Sequence, residues 1–145
     1  WKNNVDSFIK KCLPFIEKSH LCKFSEEEAK LLSGKENLED ACDTLHELGA
    51  PIICVTMGAK GTLVSAAKSK KQIVSAEVTP VDTTGAGDAF IGSLLAQISK
   101  LDFPLIELPT QLDLLYNMVT KANKVGALTT TKYGAIAAIP ELNEI

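Results

Sequence analysis

No stretch of this 145-residue chain is apolar for the roughly 18 to 20 residues that crossing a bilayer requires, so no membrane span is expected. The opening residues, WKNNVDSF, lack the apolar core of a secretory signal. Basic residues never run longer than the KSKK of Lys68 to Lys71, and the net charge is −3, which argues against a nucleic-acid surface. The four cysteines, Cys12, Cys22, Cys42 and Cys54, contain no C-x-x-C pair, and no histidine stands at ligand spacing. Structural zinc and a disulfide framework are therefore not expected. Buried free thiols in a reducing cytoplasm are, and His20 and His46 both read as structural. Two familiar phosphate-binding loops are missing too. G-x-x-x-x-G-K-[ST] does not occur, its nearest approach being Gly58-Ala59-Lys60-Gly61-Thr62 at the wrong spacing, and no G-x-G-x-x-G follows a strand.

What is present is a globular composition, 46% hydrophobic and 23% charged, on a chain long enough for one core. Val5, Phe8, Ile9, Cys12, Leu13 and Ile16 fall at helical spacing within residues 4–19. A short apolar run, His20 to Phe24, suits a buried strand. Ser25 then reads as an N-cap with Glu28 three residues on, a capping box for a helix that stops at Gly34. A second helix covers 38–48. PIICVT, 51–56, is a β-branched run of the buried parallel type. Strands at Thr62 to Ala66 and Gln72 to Val78 then form a hairpin with AKSKKQ as its exposed tip. Helices are expected from Gly87 to about Lys100 and over 111–127, with a proline-bearing loop at 102–110 between them. Helices alternating with apolar strands make an α/β chain with a largely parallel sheet, one domain or part of one. There is no internal repeat or linker. The chain opens on Trp1 without a Met, which reads as a piece cut from something longer.

The stretch that carries chemistry is VDTTGAGDAF, residues 81–90, which turns abruptly into the apolar helix AFIGSLLAQI. Glycines there permit backbone angles closed to other residues and let a ligand lie against the main chain. The N–H groups of Gly85, Ala86 and Gly87 fall where a helix starts, so they have no intrahelical acceptor. Converging donors at the positive end of a helix dipole suit an anion, above all a phosphate. Asp88 sits in the same first turn. A carboxylate beside a phosphate is electrostatically costly unless it works, and the natural task is to accept the proton of a hydroxyl attacking phosphorus.

DTTGAGDAF closely resembles the C-terminal signature of the ribokinase-like (PfkB-type) carbohydrate kinases. FSEEEAKLLSG, VTMGAKG and ANKVGALTTTKYGAIAAIP resemble further segments of that family in the same order, and the GALT and GAI wording looks most like its fructokinase branch. The resemblance runs over essentially the whole chain. Two positions depart from the family's wording: Ser25 stands where Asn is usual, and Ala137 where Pro is frequent.

The resemblance implies a three-layer α/β/α fold, of which this chain is the C-terminal, nucleotide-binding half, without the sugar-binding lid. It implies Asp88 as the catalytic base and Gly85, Ala86 and Gly87 as the anion hole. Ser25, Thr56, Gly58, Gly61 and Asn123 would contact ATP, and Glu28 would organise Mg²⁺ through water. A monovalent cation such as K⁺ would rest on Asp82, Thr84 and carbonyls near Thr129, Lys132, Gly134 and Ala138. The implied reaction is ATP-dependent phosphorylation of a sugar hydroxyl, D-fructose giving fructose 6-phosphate, with ribose or a nucleoside as alternative acceptors. Small molecules are the expected partners, with a homodimer for the full-length protein. A non-catalytic regulatory subunit of the same fold is the reading from a different class. Asp88 and the intact G-A-G favour catalysis over it.

Overall fold

Short polar caps set where the first three α-helices begin. The computed structural model describes residues 4–141, 143 and 144; Trp1, the unusual first residue, lies outside them. Asn4 accepts a hydrogen bond from the Ser7 N–H and starts α1, Val5–Lys18. Strand β1, Cys22–Ser25, leads into α2, Glu26–Ser33, and Gly34 closes that helix in the left-handed conformation at φ 68°. Asn37 caps α3, Leu38–Glu47, by accepting from the Glu39 and Asp40 N–H groups. Then come β2, Ile52–Thr56, a 3-10 turn at Gly58–Lys60, β3, Thr62–Ala66, and β4, Ser69–Ile73. Helix α4, Ala86–Ile98, and helix α5, Leu112–Thr129, follow, with a 3-10 segment at Leu105–Thr110 between them. No helix among the described residues is long and apolar enough to cross a membrane.

The chain divides into two compact units. Among the described residues, the first holds those up to Thr56 together with Leu63–Lys71, and the second holds Met57–Thr62 and those from Gln72 onward.

The sheet runs in the order β1-β2-β3-β4. β1 and β2 are parallel, in a register that sets Cys22 opposite Ile53 and Ser25 opposite Thr56. The remaining strands follow through tight turns, so the sheet is mixed. β2 reads IICV because all four of those side chains are buried. Ala29 and Leu32 of α2 and Ala41, Cys42 and Leu45 of α3 are buried in the same unit. Cys22, Cys42 and Cys54 are buried and Cys12 is partly so; all four are free thiols, as expected. Burial pushes the Cys54 thiol up to about 12 and the Cys42 thiol up to about 11, so both remain neutral at neutral pH. His46 has the structural role expected of it: one ring nitrogen lies 2.7 Å from the Ala50 carbonyl oxygen and the other 2.7 Å from the Ser65 hydroxyl.

In the second unit, Phe90 and Leu94 of α4 and Leu115, Met118 and Val119 of α5 are buried, with Leu108 between them in sequence. Gln97 ties the two helices by donating to the Met118 carbonyl at 3.0 Å. Gly126 permits a close approach of the two, since a Cβ there would lie 3.1 Å from the Ala86 carbonyl oxygen.

The hairpin differs from the sequence expectation. β4 begins at Ser69, and the polar KKQ belongs to the strand because only Ile73 of β4 is buried. The tip shrinks to Ala67 and Lys68, at φ 47° and 65°. Two consecutive left-handed residues make the turn that matches strand twist, and they normally call for Asn-Gly. Lys68 carries a Cβ where glycine fits better. Lys68→Gly is therefore expected to raise the thermal midpoint, by the equivalent of up to about 1 kcal/mol. A midpoint below that of the unmodified chain would contradict the left-handed turn.

Candidate functional site

Helix α4 begins in an unusual way. Its N-cap is Gly85, left-handed at φ 81°, and no side chain caps the helix. Helices normally cover their first N–H groups with a Ser, Thr, Asp or Asn side chain. Here the Ala89 N–H makes the first helical bond, 2.8 Å to the Gly85 carbonyl, and the Ala86 N–H reaches back 3.3 Å to the Thr83 carbonyl. Of the three proposed anion-hole donors, Ala86 is thus already engaged in a long turn bond, whereas Gly85 and Gly87 make no such bond among the described residues. Asp88 is exposed in this first turn, and no hydrogen bond or ion pair engages its carboxylate among the described residues.

The approach to α4 is held by Asp82. One carboxylate oxygen accepts the Thr84 N–H at 3.0 Å, and the other accepts the Gly134 N–H at 3.0 Å. The Thr130 carbonyl accepts the N–H groups of Val81 and Asp82 at 2.7 and 3.0 Å. These bonds lay residues 81–85 against 130–135. Gly85 must then be glycine twice over, because its φ is positive and a Cβ would sit 2.5 Å from the Ala135 Cβ. The Thr84 hydroxyl and the two backbone N–H groups hold the Asp82 carboxyl below its ordinary range.

The expected cation ligands Asp82, Thr84 and Gly134 are thereby brought together. Thr129 is buried and its hydroxyl donates to the Val125 carbonyl, while the Lys132 ammonium pairs with Glu144 at 3.3 Å. No group of three or more His, Cys, Asp or Glu side chains among the described residues could hold a metal ion. Both Asp82 carboxylate oxygens are engaged by backbone N–H groups here.

The turn after β2 is closed by the Met57 N–H bonded to the Gly61 carbonyl at 2.8 Å, with Gly58 and Gly61 at φ 58° and 88°. Asn123 is buried, at 6% exposure, although a lone Asn in a helix reads as a surface residue. In the first unit, the parallel register places Ser25 beside Thr56, whose hydroxyl donates to the Phe24 carbonyl at 3.2 Å. The Ser25–Glu28 capping box is present: the Ser25 N–H bonds Glu28 Oε2 at 2.7 Å and the Glu28 N–H bonds Ser25 Oγ at 3.2 Å. Among the described residues no hydrogen bond engages Glu28 Oε1. Sequence reasoning did not single out Thr62, Gly126 or Ala135. Gly126 carried a signal, since a glycine inside a helix weakens it and marks a close approach.

A family model described as pfkB family carbohydrate kinase matches residues 2–142. The chain is 33% identical over 134 residues to a fructokinase of Vibrio alginolyticus, covering 90% of this chain and 41% of that one. It is 36% identical over 120 residues to an aminoimidazole riboside kinase of Salmonella typhimurium, covering 83% and 36%. Among solved structures, a fructokinase from Vibrio cholerae O395 in fructose-, ADP- and calcium-bound form superposes with a TM-score of 0.84 at 33% identity, covering 95% and 43%. The chain thus spans about two fifths of the length of the curated relatives it matches.

Two outcomes are expected from this geometry. Gly85→Ala should destabilise by at least the 1–2 kcal/mol of a left-handed residue bearing a Cβ, and Ala135→Gly should recover part of that loss. Equal thermal midpoints for the single and double variants would refute the Gly85–Ala135 contact. The Asp82 carboxyl titrates lower in the folded state than its unfolded value near 3.9. Its contribution is therefore complete above that value and lost as pH falls through the folded one. Amide protection at Thr84 and Gly134 should decline selectively below about pH 4. Protection factors unchanged between pH 5 and 2 would show that the carboxylate does not hold the loops.

Proposed function

The chain belongs to the pfkB family of carbohydrate kinases, and we propose that it carries the nucleotide-binding and phosphoryl-transfer part of an ATP-dependent sugar kinase. The observation that carries this reading is the glycine-capped N-terminus of α4, with no capping side chain and an unengaged carboxylate in its first turn. A helix end left open in this way suits an anion, and Asp88 stands where a base for the attacking hydroxyl is needed.

In the proposed step the sugar O–H bond breaks as its proton passes to an Asp88 carboxylate oxygen. The hydroxyl oxygen forms a bond to the γ-phosphorus. The bond from that phosphorus to the β–γ bridging oxygen breaks, and its electron pair leaves on ADP. The N–H groups at Gly85 and Gly87, with Ala86 sharing its donor with Thr83, stabilise the charge on the transferring oxygens. Ser25, Thr56, Gly58 and Gly61 are assigned to contact with the nucleotide, whereas Asn123, expected beside them, is buried with its amide bonded to Thr62, Ile73 and Val74 and is assigned an indirect part. Mg²⁺ would neutralise phosphate charge when bound, and Glu28 Oε1 is the oxygen free to orient its water shell. Asp82, Thr84 and the carbonyls of Thr129, Lys132 and Gly134 are assigned to a monovalent cation, which would balance the charge gathered beside the anion hole.

D-fructose is the acceptor we favour, on the fructokinase relatives. The similarity to an aminoimidazole riboside kinase supports a ribose-type acceptor as the second reading. The test is ADP release from Mg-ATP with fructose, ribose, aminoimidazole riboside or no sugar, in the presence of K⁺. Fructose-dependent release is expected, and Asp88→Asn should lower it by about 10²- to 10⁴-fold while ADP binding measured by calorimetry is retained. Near-normal turnover in Asp88→Asn would rule out that residue as the base.

A further inference from the structure

Thr62 is the residue immediately after the glycine turn, and its side chain is wholly buried. Its hydroxyl donates to Asn123 Oδ1 at 2.6 Å. The Asn123 amide nitrogen donates in turn to the Ile73 carbonyl at 2.9 Å and the Val74 carbonyl at 3.3 Å. The amide thus has its acceptor and both hydrogens committed to backbone-defining partners. Three segments meet on one side chain: the turn, the end of β4 and the middle of α5.

The turn rests on the same surface. A Cβ on Gly61 would collide with the Ile73 carbonyl oxygen and lie 2.7 Å from the Ser75 N, so Gly61 is pressed against residues 73–75. Gln72 adds a side-chain bond to the Lys60 carbonyl at 2.8 Å. A polar amide buried in mid-helix is unfavourable unless fully bonded, and an apolar side chain would fill the space without that demand. Its fixed planar geometry does what an apolar contact cannot, namely hold three backbones at set distances and angles.

Three residues further along α5, Gly126 meets the Ala86 carbonyl in the first turn of α4. Positions three apart lie on one side of a helix, about 4.5 Å apart along its axis. One short piece of α5 therefore touches Thr62, the residue that follows the glycine turn, the 73–74 backbone on which that turn rests, and the open end of α4.

We infer that Thr62 and Asn123 are positioning residues for the nucleotide: through α5 they set the spacing between the Gly58–Gly61 turn and the anion-binding end of α4. The inference rests on the proposed function, which assigns the turn to the nucleotide and the helix end to its phosphates. Thr62 touches neither ligand and acts through Asn123. An adenine nucleotide, which spans both places, depends on that spacing. A bare polyphosphate, which uses only the helix end, does not.

The experiment compares ADP with inorganic tripolyphosphate, each titrated by calorimetry into the chain and into Thr62→Val and Thr62→Ser. Thr62→Val keeps the shape and removes the hydroxyl; Thr62→Ser keeps the hydroxyl. The expected result is an ADP affinity about tenfold lower in Thr62→Val, restored to within about threefold in Thr62→Ser, with tripolyphosphate affinity unchanged in both. ADP affinity in Thr62→Val within twofold of the unmodified chain would overturn the inference. So would an equal loss for both ligands, which would mark a general loss of structure. Should Thr62→Val fail to fold, the inference stands on Thr62→Ser retaining ADP binding and on faster amide exchange at Gly58–Gly61 in Thr62→Ala; its failure on both would overturn it. If the unmodified chain binds neither ligand, the proposed function itself falls, and this inference with it.

Discussion

One carboxylate governs how the second unit is arranged around the start of α4. Asp82 holds the Thr84 N–H with one oxygen and the Gly134 N–H with the other, and so bridges two loops some fifty residues apart in sequence. Backbone bonds from Val81 and Asp82 to the Thr130 carbonyl reinforce the same junction. With the loops joined, Ala135 lies against Gly85, and the chain can enter α4 only through a left-handed glycine. The conformation that leaves the helix end open is therefore imposed from outside the helix. Propensity alone would not produce it, since any residue with a polar side chain at that position would tend to cap the helix itself.

The helices supply the rigid background that this junction needs. α4 and α5 pack through buried Phe90, Leu94, Leu115, Met118 and Val119, and Gly126 brings the two backbones into near contact beside Ala86. Each such side chain contributes about 1.5–3 kcal/mol by leaving water. That is enough to keep the first turn of α4 in place despite its missing cap, which is ordinarily worth about 1 kcal/mol. Apolar packing thus offsets a local defect at the end of the helix that carries Asp88.

How much of this could be read from the sequence depends on whether the cause was local. The helix starts at Ser25 and the stop at Gly34 were legible because cap and turn chemistry acts over three or four residues. The buried strand 52–56 announced itself by an unbroken β-branched run. The glycine-bearing start of the helix that holds Asp88 was legible because Gly85, Ala86 and Gly87 are contiguous with it. The second hairpin strand was misplaced, since its polar KKQ residues alternate too weakly to signal a strand and its register is set by a two-residue turn without glycine. Thr62, Ala135 and the burial of Asn123 were out of reach for another reason. Each depends on a partner fifty to sixty residues away, and no single-chain pattern encodes that pairing.

The open end of α4 also ties ligand occupancy to order. An anion seated on the uncovered N–H groups would complete the helix as a Ser or Asp side chain does elsewhere, so filling the site and forming the first turn become one equilibrium. At a hundredfold excess over its Kd, such a ligand stabilises the structure that holds it by about 2.7 kcal/mol. The same coupling runs in reverse. Warming or mild denaturant that frays residues 85–88 would withdraw those donors while the packed helices behind them are still intact, so affinity for such an anion would fade before the fold does.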